Sequence, residues 1–426
     1  MRFRVKSAFL NNAAIYFTFN LLNKSIPFLL LPLLTRYIAP EGYGKIAMFL
    51  LLINILMPII GFSSNSILFQ KYFSLDSGEL SGFVRNVYQV IFTGFIFSII
   101  AYGFGYNFIE SVTGLDPVYI MLAIFCAVYG IVYTILLSLY QLKENPISYG
   151  KVQLSNTLLN LSLTLLFVIY YEQAWEGRIY SISISYFIFF IVSVILIQSL
   201  VGRYKRPVNA NGNYFFIFKY GMYLLPSTIS GAIILASDRI FLNNMIGMDV
   251  VGIYSVAITF ALIFDIILNS IAQGYIPKVY ELASNFTLKN NYKISIMILK
   301  VWSLIGALFL MAIVVVPLAM DVMIDQRYHE AIKFFPWILL SMGMLGFSAS
   351  FHGLLLSKNK NLTISFISIF SILINLIFNY IFIPKYGAIG AAYATAISSA
   401  VLSFFIIIIG YSHYNLIMHK IIIRFF

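Results

Sequence analysis

Ionisable residues are rare inside the apolar stretches of this chain, and the few found there are its candidates for chemistry. Lys24 lies in FNLLNKSIPFLLLP, close to the polar residues Asn20 and Asn23. A charged side chain at the centre of a lipid bilayer costs about 2.5–3.5 kcal/mol even on lenient insertion scales, so such residues mark functional sites by default. We expect Lys24 to face a water-filled cavity. The alternative is a lysine that binds carbonyls freed by Pro27 or pairs with an acid.

Acidic residues occur in similar surroundings. Asp265, in TFALIFDIILNS, could pair with a cation, bind a coupling proton or ion, or hydrogen-bond to neighbouring helices. Asp238 and Arg239 are adjacent in ILASDRIFLNN. Adjacent helix residues point about 100° apart, so these two cannot face one partner. One of them is expected to face a cavity; anchoring at the outer membrane interface is the alternative. We assign coupling or gating roles to Asp265 and Asp238.

Other residue types with chemical potential form no recognisable site. Cys126 is the only cysteine, so no intramolecular disulfide can form, and one thiol cannot make a zinc site by itself. His352 has no second histidine or carboxylate three or four residues away. No nucleophile–base motif, Walker loop or H-E-x-x-H sequence occurs. The sequence therefore predicts no catalytic residue, no metal site and no cofactor.

The composition indicates which solvent surrounds these residues. Hydrophobic residues make up 61% of the chain and charged residues 10%, with a mean hydropathy of +0.92. An ordinary soluble protein has roughly 25% charged residues. A chain this apolar cannot cover its surface with polar groups, so its surface must face lipid.

Apolar runs long enough to cross a membrane recur along the whole sequence. A spanning helix needs about 20 mostly apolar residues. Twelve such runs are predicted, at 8–34, 46–69, 84–106, 118–141, 150–171, 179–201, 215–240, 250–273, 294–317, 332–356, 362–383 and 388–411. The first is preceded by three basic residues and followed by no cleavage site, so we expect it to remain as an anchor. The loops are short, which leaves no room for a soluble domain.

The basic residues are distributed unevenly between the two sides. With the N-terminus placed inside, 19 of the 27 lysines and arginines fall in inner segments and 7 in outer ones. This bias predicts that both termini are cytoplasmic, in the inner membrane if the cell is bacterial. It also explains the net charge of +12 better than binding to nucleic acid does.

The sequence contains a weak internal repeat. Residues 38–44, IAPEGYG, align with 246–252, IGMDVVG, and residues 143–160 align without gaps with 358–375, which pairs Asn160 with Asn375. EGRIYS at 176–181 aligns with IGAAYA at 389–394, two residues out of register. Because six spans is an even number, the halves have the same orientation, as parallel repeats do. We predict two six-helix lobes, 1–206 and 207–426.

The repeat makes the first and seventh spans equivalent, and both carry unusual residues. Pro27 and Pro226 lie within them and favour kinks or hinges. Lys24, Arg36 and Arg239 would make a central cleft electropositive if these two spans face each other.

Three segments together resemble a known family. They are LPLLTRYIAPEGYGKIAMF at 31–49, LPSTISGAIILASDRIFLNNMIGMDVVGIYSVA at 225–257 and NLIFNYIFIPKYGAIGAAYATAIS at 375–398. They resemble the polysaccharide-unit (O-antigen) flippases of the polysaccharide transporter family, a branch of the multidrug/oligosaccharidyl-lipid/polysaccharide (MOP) exporter superfamily. With the length, the span count and the repeat, the resemblance covers essentially the whole chain.

The resemblance implies an all-α, V-shaped bundle of two six-helix lobes that works by alternating access. The implied substrate is an undecaprenyl-diphosphate-linked oligosaccharide, such as an O-antigen repeat unit, moved from the inner to the outer leaflet. Lys24, Arg36 and Arg239 would shield its diphosphate, and asparagines such as Asn20 and Asn23 would contact its sugars. A proton or sodium gradient would drive turnover. Membrane lipids and a polysaccharide polymerase are the other implied partners.

Three alternatives stay open. A drug exporter of the same superfamily would favour intramembrane acids over an intramembrane lysine. A membrane enzyme of polysaccharide assembly, such as a polymerase or an acyltransferase, would need larger outer loops. A passive scaffold or channel is the third.

Overall fold

The described part of the chain is mostly helical. The computed structural model describes residues 15–16, 18–23, 25–26, 28–72, 75, 77–202, 210–284, 287–357 and 360–414, and none of these lies in a β-strand. Ten helices within this part of the chain are long and apolar enough to cross a membrane. The predicted all-α, multi-pass membrane fold is therefore confirmed. The predicted spans at 8–34 and 215–240 are not among the ten, so the count of twelve stays a prediction.

In the first half, the described residues between 15 and 29 are helical. They continue as α1 (Leu31–Tyr37), α2 (Pro40–Gly61), α3 (Ser64–Lys71), α4 (Ser77–Thr113), α5 (Pro117–Leu142), α6 (Pro146–Thr164) and α7 (Ala174–Val201). A π-helical segment, Leu165–Tyr170, extends α6.

The described residues of the second half form six long helices. They are α8 (Ala210–Met245), α9 (Met248–Ser284), α10 (Leu288–Met323), α11 (Ala331–Ser357), α12 (Asn361–Tyr386) and α13 (Ile389–Tyr414). A 3-10 turn, Gln326–Tyr328, lies between α10 and α11.

Helix starts follow local chemistry. Pro40, Pro117 and Pro146 occupy the first helical turn, where the missing N–H costs nothing and the fixed φ favours the helix. The backbone N–H of Ser148 donates to Asn145 Oδ1 at 3.1 Å, which caps the start of α6. These signals fix where the chain leaves each short loop and becomes helical.

Small residues line the helix that ends the second half. Gly390, Ala391, Ala392, Ala394 and Ala396 on α13 are all buried. Without a large side chain between them, neighbouring backbones approach closely, which is how helices associate where lipid weakens the hydrophobic driving force.

Contacts divide the chain into two compact units, Met1–Ala236 and Ser237–Phe426. The division falls inside α8 and not in the basic stretch around residue 206. The hydroxyl of Thr228 lies 3.0 Å from that of Ser63, and the ring of Phe218 lies 4.7 Å from that of Phe62. The first part of α8 therefore packs with the helices of the first unit.

The repeat has a structural counterpart in the helix boundaries. The distance along the chain from the end of α1 to the end of α8 equals the distance between the matched segments 38–44 and 246–252. The distance from the start of α2 to the start of α9 is the same. The starts of α6 and α12, and likewise those of α7 and α13, have the same spacing as the matched segments 143–160 and 358–375. The halves therefore share these helix boundaries.

A close helix–helix approach also recurs. A Cβ on Gly177 would lie 2.9 Å from the carbonyl oxygen of Phe167, and one on Gly390 would collide with that of Phe382. Phe167 and Phe382 are separated by the same number of residues as the matched segments 143–160 and 358–375. The two glycines are separated by two residues fewer, as the matched segments 176–181 and 389–394 are. The first half therefore has two more residues in this connection, next to its π-helical segment.

Candidate functional site

A buried carboxylate lies at the centre of a polar cluster in the second unit. Asp238, near the end of α8, is 4% exposed. Its Oδ2 accepts hydrogen bonds from Tyr254 Oη at 2.7 Å and Thr395 Oγ1 at 2.6 Å. Its Oδ1 accepts one from Asn379 Nδ2 at 2.8 Å. Four helices, α8, α9, α12 and α13, thus converge on one carboxyl group.

Asparagines one helical turn apart on α12 hold this cluster together. Asn375 Oδ1 accepts hydrogen bonds from Ser237 Oγ at 2.6 Å and from Asn379 Nδ2 at 3.1 Å. Asn375 Nδ2 donates to Thr395 Oγ1 at 3.1 Å. The remaining amide oxygen, Asn379 Oδ1, is buried and has no hydrogen-bond donor among the described residues. A buried acceptor without a donor is costly.

Within the described part of the chain, no salt bridge balances the charge of Asp238, and its hydrogen-bond donors there are all neutral. A carboxylate buried in this way must take up a proton or a cation to escape the full cost of an isolated charge. The group can therefore serve as a proton or cation acceptor.

The donor set at this cluster favours hard cations. Carboxylate, amide and hydroxyl oxygens suit such ions, whereas zinc and copper prefer imidazole and thiolate. No group of three or more His, Cys, Asp or Glu side chains suited to a metal ion occurs in the residues that the structure describes. We name the cluster of Asp238, Tyr254, Asn375, Asn379 and Thr395 the acidic cluster.

The first unit contains a related cluster centred on a cation. Arg178, near the start of α7, donates from Nη1 to Asn160 Oδ1 at 2.6 Å and to Thr164 Oγ1 at 2.5 Å, both on α6. Further along the same two helices, Ser185 Oγ donates to Asn156 Oδ1 at 2.7 Å. Arg178 forms no ion pair with a carboxylate within the described ranges. We name Arg178, Asn160 and Thr164 the basic cluster.

Asparagines of the first predicted span point toward α6. Tyr149 Oη donates to Asn20 Oδ1 at 3.3 Å, and Thr157 Oγ1 donates to Asn23 Oδ1. Lys24 and Pro27 lie outside the described residues. Each asparagine thus has a hydrogen-bond partner on a neighbouring helix, and their proposed contact with sugars stays a prediction.

The other predicted site residues are placed separately. Arg36 is exposed in the last turn of α1, and Arg239 is half-buried on α8. Asp265 is half-buried on α9 and accepts a hydrogen bond from Asn269 Nδ2 at 2.9 Å, one turn along the same helix. Pro226 lies inside α8, which is helical on both sides of it. Of this set, the structure places Asp238 at the centre of a cluster.

Several members of these clusters were missed by reasoning from sequence. Tyr254, Asn379, Thr395 and Thr164 are ordinary polar residues in apolar helices, and Arg178 is the last residue of the polar stretch YYEQAWEGR. The available signal was the repeat, because the gapless match of 143–160 with 358–375 pairs Asn160 with Asn375. A polar residue that recurs at the same place in both halves marks the interior of each.

The chain is similar in sequence to proteins from two bacteria. An uncharacterized membrane protein of Haemophilus influenzae is 23% identical over 366 residues, covering 84% of this chain and 82% of the relative. The capsular polysaccharide biosynthesis protein CapF of Staphylococcus aureus is 27% identical over 337 residues, covering 72% of this chain and 81% of CapF.

Solved structures share the fold. An inward-facing multidrug resistance MATE family transporter of the MOP superfamily superimposes with a TM-score of 0.74 at 11% identity, covering 95% of this chain and 98% of that one. The lipid II flippase MurJ, in an inward closed conformation, gives a TM-score of 0.70 at 14% identity, covering 93% and 87%. At such identities the likeness shows the fold, which is the one the sequence resemblance implied.

A family match covers most of the chain. Residues 9–283 match the family described as "Polysaccharide biosynthesis protein". This range contains the whole basic cluster and, from the acidic cluster, Asp238 and Tyr254. The chain is therefore a multi-pass membrane protein that belongs to the polysaccharide biosynthesis protein family.

Proposed function

We propose that this protein is a flippase for lipid-linked oligosaccharides. It moves an undecaprenyl-diphosphate-linked repeat unit, such as an O-antigen unit, from the cytoplasmic to the outer leaflet of the bacterial inner membrane by alternating access. A proton or sodium gradient drives the cycle. The family match and the fold shared with a lipid flippase and a multidrug transporter support the transport of a polysaccharide precursor.

The acidic cluster is the observation that carries the coupling mechanism. Asp238 is buried among neutral donors within a membrane-embedded bundle. A membrane protein retains such a costly group where it binds ions or moves protons. Binding of a cation would neutralise Asp238 and satisfy the oxygen of Asn379, so the cation-bound and cation-free states would favour different helix arrangements. A ligand shifts a conformational equilibrium only through such a difference in affinity.

The substrate path needs positive charge. A diphosphate is anionic, and carrying it across hydrocarbon requires a shielded cationic route. We assign this role to Lys24, Arg36 and Arg239, as the sequence predicts, with Asn20 and Asn23 contacting sugars. Arginine suits phosphate because its planar fork donates two parallel hydrogen bonds.

A complementation experiment tests this function. The full chain is expressed in a bacterial strain that lacks its own flippase, and surface polysaccharide is measured on gels. Asp238→Asn, which keeps the shape of the side chain but removes its charge, is expected to abolish restoration. Asp249→Asn is the matched control, because Asp249 is exposed at the start of α9. Lys24→Ala is compared with Lys333→Ala, an exposed lysine.

The outcomes separate the parts of the proposal. Failure of the wild-type chain in every strain whose lipid-linked unit it meets would contradict the flippase function. Full restoration by Asp238→Asn would contradict coupling through the acidic cluster. Unchanged polysaccharide with Lys24→Ala would remove Lys24 from the substrate path.

A cation-coupled drug exporter is the second candidate, since its main requirement, a buried intramembrane acid, is met by Asp238. In that case the chain would raise the tolerance of a drug-sensitive strain to lipophilic cations and leave surface polysaccharide unchanged.

A further inference from the structure

The acidic and basic clusters occupy equivalent places in the two halves. When the gapless match of 143–160 with 358–375 is continued along α6 and α12, Asn160 corresponds to Asn375 and Thr164 to Asn379. Each of these two asparagines thus lies one helical turn from a second polar residue on the same helix. That second residue bonds the local charge in each half, since Thr164 accepts from Arg178 and Asn379 donates to Asp238.

A second pair of contacts supports the same correspondence. Asn156 corresponds to Ser371 in the gapless match, and each bonds the following helix. Ser185 donates to Asn156, and Ser371 donates to the carbonyl of Ser398 at 2.8 Å. Ser185 and Ser398 are separated by the same number of residues as Gly177 and Gly390. The two sets of residues are thus one polar site in two copies.

The charged residue enters each copy from a different helix. Asp238 comes from the first helix of its half, and its counterpart in the alignment of 38–44 with 246–252, continued backwards, is Leu30, which is buried and apolar. Arg178 comes from the last helix of its half, and its counterpart in the sequence repeat is Ala391, also buried. Among the described residues that hydrogen-bond to one another in each copy, one is therefore charged: Asp238 in the second half and Arg178 in the first.

The two charges have opposite needs. Asp238 is an anion whose hydrogen-bond donors are neutral, so it gains from a cation. Arg178 is itself a cation, and it already donates to the amide oxygen of Asn160 and the hydroxyl of Thr164. Arginine stays protonated in proteins, and a second positive charge a few ångströms away would be strongly repelled inside the membrane. The first copy of the site therefore cannot accept a mobile cation.

We propose that Arg178 is a built-in cation that fills, in the first half, the place a coupling ion takes in the second, so that the protein binds one coupling cation per cycle. This inference rests on the proposed cation-coupled transport and adds its stoichiometry. Arg178 is on this view a positioning residue, which fixes α6 against α7 in one arrangement, while the α12–α13 pair responds to ion binding.

The test counts ions on the purified full-length chain. Binding of ²²Na⁺ is measured by equilibrium dialysis, and protons are counted in parallel by potentiometric difference titration between the wild type and Asp238→Asn. The expected result is one saturable sodium site, or one proton, that is lost in Asp238→Asn and kept in Arg178→Lys. Asp249→Asn is the control and is expected to retain the ion.

A charge exchange tests the role of Arg178 directly. The double variant Leu30→Asp/Arg178→Ala gives the first half the charge pattern of the second, and it is expected to bind two ions instead of one. Because this variant could fail to fold, Arg178→Lys and Arg178→Gln are measured beside it. Lower thermal stability of Arg178→Gln alone would show a structural contact, whereas the ion count reports on charge.

Each outcome decides between the two claims. Two saturable sites in the wild type, or one that survives in Asp238→Asn, would overturn the inference and leave cation coupling intact. A folded wild type that binds neither sodium nor an extra proton would contradict the coupling part of the proposed function itself. An unchanged count of one in a folded double variant would contradict the role given to Arg178.

Discussion

Asp238 shows how a single residue can be retained where its burial is unfavourable. Three hydrogen bonds of 2.6–2.8 Å reach its two oxygens from Tyr254, Asn379 and Thr395. Hydrogen bonds to a charged group are about twice as strong as those between neutral groups, so these donors favour the ionised form. They keep the carboxylate ready for a cation without neutralising it, which a lysine or arginine in a salt bridge would do permanently.

At this scale we predict that Thr395→Val makes Asp238 bind the driving ion more tightly, because the ion-free carboxylate loses a donor that favours its charged form. The substitution keeps the shape of the side chain and removes one donor to Asp238. Loss of one hydrogen bond to a charged group costs about 1.5–3 kcal/mol, so we expect the half-saturating ion concentration for transport to change by about tenfold or more. The measurement is transport in proteoliposomes against the concentration of sodium or protons.

The control for this prediction is Thr259→Val on α9. Thr259 donates to the carbonyl of Ser255 on its own helix at 2.8 Å and not to Asp238. Equal changes in the two variants would mean that Thr395 has no special connection with the ion.

At the scale of elements, a glycine allows close packing of the two helices in each of the hairpins α6–α7 and α12–α13. Gly177 and Gly390 lie near the starts of α7 and α13, where each faces a backbone carbonyl of the preceding helix. A carbonyl cannot move aside as a flexible side chain can. The two contacts bring α6 to α7 and α12 to α13 closely enough for the clusters to form.

We predict that Gly390→Ala destabilises the protein by about 1–3 kcal/mol, because the added methyl group collides with the carbonyl of Phe382. Gly177→Ala is expected to cost less, since its Cβ would lie 2.9 Å from the carbonyl oxygen of Phe167. Thermal unfolding in detergent measures both. Gly103→Ala on α4 is the control, with nothing within 4 Å of the added Cβ. A Gly390→Ala variant as stable as this control would contradict the close approach.

At the scale of the whole molecule, the charge bias along the chain predicts its orientation. Lysine and arginine are concentrated in alternate loops, and such residues are retained on the cytoplasmic side during insertion. The basic stretch at 201–214 and both termini should then lie on the same side. The repeat requires this arrangement as well, because parallel halves need an even number of spans between equivalent points.

Reporter fusions measure this orientation. Green fluorescent protein fused after residue 206 or at the C-terminus is expected to fluoresce, and alkaline phosphatase at these positions is expected to be inactive. Fusions in the loop at 171–173 should behave in the opposite way. An active phosphatase at the C-terminus, together with fluorescence of the fusion after residue 206, would show an odd number of spans in the second half and contradict the parallel arrangement.

Hydropathy predicts most of this fold because the membrane leaves few choices. Every backbone group must be satisfied within its own helix, so an apolar run of sufficient length becomes a spanning helix. The sequence could not show the continuity of α8 between the two units, since the basic stretch before it looks like a natural boundary. The first part of α8 belongs to the first unit because it packs against Phe62 and Ser63, and such contacts leave no periodic pattern in the sequence.

The candidate site was only partly accessible from sequence. Asp238 stood out because a charge in an apolar run is expensive, but interfacial anchoring was an equal alternative until its burial was known. Asn379 and Thr395 are uncharged and cost little, so nothing in their surroundings distinguishes them. Arg178 lies beside a polar loop and resembled an interfacial residue. Its partners on α6 are 14 and 18 residues away, and only the turn of the chain brings them together.

The unequal connections of the two hairpins set a rule for building chimaeras of this protein. The chain from Phe167 to Gly177 is longer by two positions than the chain from Phe382 to Gly390. A recombinant that crosses over between these landmarks would misplace its glycine by that amount, about 200° around the helix axis. Crossovers placed just before α6 and α12 would instead exchange each hairpin as an intact module, with its own carbonyl opposite its own glycine. Exchange between the two halves therefore preserves the contact of glycine with carbonyl only when the crossovers lie just before α6 and α12.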